Sequence, residues 1–111
     1  MAEPKYRVAW AKAAVRDLEE IILFVASDSP LVAERLLDKI RRKARSLGTS
    51  PLRGRSVPEL LRFGMRRWHE LVIRPYRLIY RVSGHAVVVL AVFDGRRDLQ
   101  EVLLERLVRQ G

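Results

Sequence analysis

The chain has 111 residues, 49% of them apolar, and no cysteine, which predicts one globular domain over 1–111 and excludes a disordered chain, a disulfide framework and a thiolate metal site. Its formal net charge is +9, and residues 50–111 hold 12 arginines, no lysine and 6 acidic residues. The planar guanidinium fork suits phosphates and carboxylates, so an anionic partner is expected, either RNA or an acidic protein segment.

No basic end followed by an apolar core opens the chain, and no apolar run nears the ~20 residues that span a bilayer. A cytoplasmic protein without a membrane partner is therefore expected. Lys5–Trp10 alternates, with Tyr6, Val8 and Trp10 on one face, and predicts a half-buried strand. From Lys12 to Ala26 the apolar residues Val15, Leu18, Ile22 and Val25 fall at helical spacing, with Ile21 and Phe24 widening the stripe. Ser29-Pro30 supplies a cap and a first-turn proline for a second helix that buries Ala33, Leu36, Leu37, Ile40, Ala44 and Leu47 and stops at Gly48. The pair forms a helical hairpin.

Residues 49–64 read as a loop with a possible helical turn at Pro58–Arg62. Three strand signals follow. Arg67–Arg74 is broken by Pro75; Tyr76–Val82 alternates, with Tyr76, Leu78, Tyr80 and Val82 opposite Arg77, Ile79 and Arg81; Ala86–Phe93 is apolar without alternation, as in a strand covered on both faces. Asp98 with Glu101 resembles a capping box for a last helix through Leu99, Val102, Leu103, Leu104, Leu107 and Val108. The predicted fold is α+β, in the order β-α-α-β-β-β-α: a small, mostly antiparallel sheet with an N-terminal helical hairpin and a C-terminal helix.

Five strings, in this order and at these separations, carry a resemblance over nearly the whole chain. They are Val15-Arg16-Asp17-Leu18, Ser29-Pro30, Gly54 to Leu60, Arg74 to Val82, and Val92 to Leu99. Together they resemble the RelE/ParE superfamily of toxins from type II toxin–antitoxin systems. The resemblance implies a toxin neutralised by a cognate antitoxin in a hetero-oligomer. One branch cuts ribosome-bound mRNA; the ParE-like branch poisons DNA gyrase without known nuclease activity. A non-toxic relic that only binds an antitoxin is a third reading.

The resemblance places Arg77 and Arg97 where the nuclease branch keeps phosphate-binding arginines, positions from which both side chains are expected to reach one concave face. In that branch fixed guanidinium groups stabilise charge building on the scissile phosphate; in the other they grip carboxylates. The nuclease branch also places a tyrosine where this chain has Leu103, and lysines where it has Trp68-His69-Glu70-Leu71-Val72. Glu70 could serve as a proton carrier, but His69 beside it points to the opposite face. Glu70 is better matched to an arginine across the sheet, Arg77 or Arg81; His69 reads as a surface or hydrogen-bonded histidine. Arg74, Arg77, Arg81, Arg96, Arg97 and Trp68 form the expected partner-binding set. His69 and His85 lack a third ligand at metal spacing, so neither a metal nor a cofactor is expected. The long helical span and Leu103 favour the ParE-like branch.

Overall fold

The computed structural model describes residues 5–110, with side chains described as far as residue 106. Strand β1 (Arg7–Trp10) leads into helices α1 (Lys12–Asp28) and α2 (Pro30–Arg45), and a 3-10 turn, Ser46–Gly48, closes α2. After a loop come β2 (Arg55–Ser56), α3 (Pro58–Leu61), β3 (Trp68–Ile73), β4 (Tyr76–Ser83), β5 (Ala86–Asp94) and α4 (Leu99–Gln110). The sheet order is β1-β5-β4-β3-β2. Neighbours are antiparallel except β1 and β5, which run parallel. The sheet is thus mixed, and β2 is a strand that sequence reading took as loop. Two residues are too few to show a period, and they extend only because β3 lies alongside.

Ser29 is the joint of the helical hairpin. Its extended backbone (φ −149°) ends α1, and its hydroxyl accepts the Val32 N–H at 3.3 Å. Ala14, Ala33 and Ala44 are buried in this hairpin, where their small side chains admit close packing. One core lies between the hairpin and the sheet, built from Leu18, Ile40, Leu47, Leu71, Ile73, Leu78, Tyr80, Val87, Val89 and Val92. Tyr6, Val8 and Trp10 pack against it, as their alternation predicted. Leu23 and Phe24, at the distal end of α1, are 71% and 80% exposed, so the apolar stripe outruns the surface that covers it.

A second core lies on the opposite face, where Val57, Ile79, Ala91, Phe93, Leu99 and Val102 meet Leu60 and Trp68. It is roofed by α3 and α4. A bulge decides which residues of β5 serve each core. Tyr80 pairs with Val89 while Ile79 pairs with Ala91, leaving Leu90 over. Val87 and Val89 therefore face the hairpin, and after the extra residue Ala91 and Phe93 face α3 and α4. This phase change, with cover on both faces, is why β5 lacks alternation in the sequence.

The end of α3 is also locally specified. Gly64 adopts φ +75°, while the Gly64 N–H bonds to Leu61 O and the Met65 N–H to Leu60 O. This is the double closure that needs a residue without Cβ strain in the left-handed region. At α4 the Asp98 carboxylate accepts the Gln100 N–H at 2.9 Å. Leu107 and Val108, expected on the apolar face of this helix, have side chains outside the described residues.

Candidate functional site

Arg77 leaves β4 on the α3 face and runs beneath Gly95. Its Nε–H donates to Glu70 Oε1 at 3.0 Å, its two Nη groups grip both oxygens of Glu59 at 2.7 and 2.8 Å, and Nη2 also reaches Glu70. These bonds engage four of the five guanidinium N–H groups. Glu70, 1% exposed, receives Arg55 from β2 on its other oxygen, at 3.0 Å to Nε and 2.9 Å to Nη2. Glu70 thus pairs with Arg77 and not with Arg81. The Arg77 guanidinium holds the Glu59 carboxyl below its usual range, and the Glu59 bond holds Arg77 further into its charged form. The Phe93 ring, 5.4 Å away, adds a cation–π contact.

Around this cluster Arg55, Arg74, Arg77 and Arg96, with Val72, Pro75, Tyr76 and Gly95, line a shallow groove of about 670 Å³. Three of its arginines already hold carboxylates. Arg96 folds back on Asp94, at 3.0 and 2.6 Å, and with its own backbone N–H holds the Asp94 carboxyl down at about 2. Arg74 is exposed and has no ion pair or hydrogen bond among the described residues.

Arg97 does not line that groove. It turns to α4 and donates to Glu105 at 2.7 Å. It belongs to a second groove of about 500 Å³, where Asp17, Glu20 and Phe24 of α1 face Glu105 and Arg106 of α4 across the end of β5. Here β1 has already ended opposite Val89. In its place Asp17 accepts the Val92 N–H at 3.0 Å and bonds Arg106, while Arg106 donates to Leu90 O at 2.6 Å. The bulge is therefore held by one side chain from α1 and one from α4.

Arg81 and Trp68 lie directly opposite each other at the far ends of β4 and β3, away from both arginine grooves. Trp68 is half-buried and helps line an apolar cleft of about 250 Å³ with Leu60, Ile79, Leu99 and Leu103. His69, on the other face, stacks on Tyr80, and its buried Nδ1 has no hydrogen-bond partner. The ring is half-buried on the face of the hairpin core, so only the partial exposure in that expectation is met: no side-chain hydrogen bond holds it among the described residues. Among the described residues no cluster of three His, Cys, Asp or Glu could hold a metal. None of the helices there is long and apolar enough to cross a membrane.

The family model described as the ParE toxin of the type II toxin–antitoxin system parDE matches residues 8–99. The chain belongs to the ParE toxin family. Two toxins of Caulobacter vibrioides are similar to this ParE-family chain. Toxin ParE3 is 30% identical over 84% of the chain and 90% of its own length, and toxin RelE2 is 30% identical over 82% and 97%. Among solved structures, a chromosomal ParDE system from P. aeruginosa has the same fold, with TM-score 0.66, 19% identity, and coverage of 81% of this chain and 96% of that one. The RelBE2 toxin–antitoxin complex of Mycobacterium tuberculosis matches with TM-score 0.59, 26% identity, and coverage of 84% and 94%. The RelE/ParE superfamily and its α+β fold, expected from the sequence, are those found. Sequence reasoning missed the roles of Arg55, Glu59, Asp17 and Arg106. Glu59 lay inside one of the resembling strings, but its partner is visible only once α3 folds over β4.

Proposed function

We propose that this ParE-family toxin arrests growth by binding DNA gyrase in the cytoplasm, without bond chemistry of its own, and that a cognate antitoxin neutralises it. The observation that carries the reading is the engagement of four of the five Arg77 N–H groups by Glu59 and Glu70. A scissile phosphate at this position would have to displace two carboxylates, one of them buried. Nor does the surrounding groove favour proton transfer. Glu70 is enclosed by arginines, and burial and the Asp94 carboxylate hold the Tyr76 hydroxyl above its usual range. Leu103 lies in the separate apolar cleft and has no titrating group. For the antitoxin, Arg74, Arg96 and Arg97 are the exposed arginines of the expected set nearest the two grooves. An acidic antitoxin segment is proposed to meet them there.

Purified toxin is tested in parallel on gyrase supercoiling and on a ribosomal translation reaction. Loss of supercoiling with intact transcripts supports the reading. Transcripts cut in the ribosomal A site, with cutting lost in Arg97→Ala, would establish the nuclease reading instead. No growth arrest on induction would identify a binding relic.

A further inference from the structure

Ten of the twelve arginines of the second half divide into two sets; of the others, Arg53 bonds the Ser46 hydroxyl and the side chain of Arg109 lies outside the described residues. Arg55, Arg77, Arg96, Arg97 and Arg106 are each tied to a carboxylate. The side chains of Arg62, Arg66, Arg67, Arg74 and Arg81 have neither an ion pair nor a hydrogen bond among the described residues. All of the second set but Arg74 gather at the end of the sheet away from the arginine grooves. Arg62 follows α3, Arg66 and Arg67 lead directly into β3, and Arg81 stands across from Trp68. Four of the five unpaired arginines of this half therefore lie at a different place from Arg77 and Arg97, the two that the family likeness singles out.

The same turn turns large apolar side chains to solvent. Leu61 is 43% exposed, Phe63 72% and Met65 42%. The Gly64 closure fixes this arrangement, because it ends α3 with Leu60 against the core and sends the chain back outward. Beneath the turn lies the apolar cleft lined by Leu60, Trp68 and Leu103. Single exposed apolar residues need no explanation, but three within five positions, bracketed by unpaired guanidinium groups, mark an interaction surface. Its chemistry separates two classes of occupant. A nucleic-acid surface offers aromatic platforms for successive bases, whereas here Phe63 is the one exposed ring of the turn, between aliphatic Leu61 and Met65. Apolar anchors inside a ring of arginines suit a protein segment with carboxylates around apolar side chains.

We propose that the turn between α3 and β3 is the target-recognition surface of the toxin. Its occupant is an acidic segment of the target protein, with apolar groups over Leu61, Phe63 and Met65 and carboxylates on Arg62, Arg66, Arg67 and Arg81. The identity of the target as gyrase rests on the reading above; the surface and its chemistry do not.

The test measures association and dissociation of the full chain with purified gyrase subunits at low and high salt. The triple variant R62E/R66E/R67E is expected to slow association about tenfold and to flatten the salt dependence, as loss of steering charge does. F63S is expected to leave association near its original rate and to speed dissociation about tenfold. R35E, a charge reversal on α2, serves as control, and unchanged melting midpoints show that all variants fold. Unaltered kinetics in both test variants overturn the proposal. So does tighter binding of a single-stranded DNA or RNA 20-mer that is lost in the same variants. Should the unaltered chain bind neither gyrase subunit, the gyrase reading falls and growth arrest decides the surface. Arrest released by both variants, with no oligonucleotide binding, upholds it; arrest that persists overturns it.

Discussion

Arg77 of β4 and Glu59 of α3 face each other fork to fork, with nitrogen–oxygen distances of 2.7 and 2.8 Å. This pair fastens a helix of four residues to the sheet, which such a short helix could not achieve by its own hydrogen bonds. With Arg55 and Glu70 it sets two guanidinium groups against two carboxylates, so the centre of the basic groove is a closed, neutral charge cluster.

Removing Arg77 should therefore damage folding before it damages any activity. Arg77→Met leaves the buried Glu70 with Arg55 alone and is expected to cost about 3 kcal/mol in urea denaturation. Adding Glu70→Met should recover most of that loss, because the uncompensated buried charge is then gone. A double variant as unstable as the single one would contradict this account.

The Glu59 carboxyl is depressed in the folded state by Arg77. The unfolded chain then binds more protons at acidic pH, so this contribution is complete above the ordinary glutamate range near 4.5 and fades as pH falls through the folded value. The melting midpoint of the unaltered protein should fall with acidification across that window. Glu59→Gln should start lower at pH 7 and show a shallower acid slope, read by thermal scans from pH 7 to pH 3.

Gly54 sits where a side chain has no room. A Cβ there would lie 2.4 Å from the Glu70 carbonyl oxygen and 2.7 Å from the Tyr80 hydroxyl, which accepts the Gly54 N–H at 3.0 Å. Gly54→Ala must push β2 away from β3 and is expected to cost about 2 kcal/mol, within the usual range for overpacking. Thermal denaturation measures it. An unchanged midpoint would mean that the strand yields freely.

Asp17 joins three elements through the Val92 N–H and Arg106. Asp17→Ala strips the partner from a backbone donor and from a half-buried guanidinium, at an expected cost of about 2 kcal/mol. The amide protons of α4 should lose exchange protection before those of β4 and β5. Asp17→Asn keeps an acceptor for Val92 and should restore part of the loss. Equal protection of α4 in the alanine variant would refute the tie.

Periodicity exposed most of the architecture because it reports which face of an element is covered. The alternation from Tyr76 to Val82 put Leu78 and Tyr80 on one face of the strand and Ile79 on the other, and in the structure each face has a core of its own. Ser29-Pro30 marked the helical joint because its cap is local. The site was less legible. Arg77 and Arg97 look alike in a string, yet one is enclosed by Glu59 and Glu70 and the other lies along α4. What distinguishes them is a partner 18 residues away in one case and 8 in the other, and no short-range pattern encodes such a pairing. β2 escaped for the same reason: Arg55 and Ser56 become a strand only against Glu70 and His69.

The surplus residue of β5 has an evolutionary corollary. With Leu90 deleted, Ala91 would follow Val89 directly and keep Ile79 as its partner, so Ala91 and Phe93 would still face the C-terminal helix and Val92 the helical hairpin. The loss would fall instead on the Leu90 carbonyl, which receives Arg106. Lineages descended from this chain can therefore shed that one residue without turning either layer inside out, whereas removing a regularly paired neighbour such as Val88 would invert the side chains on one side of the gap.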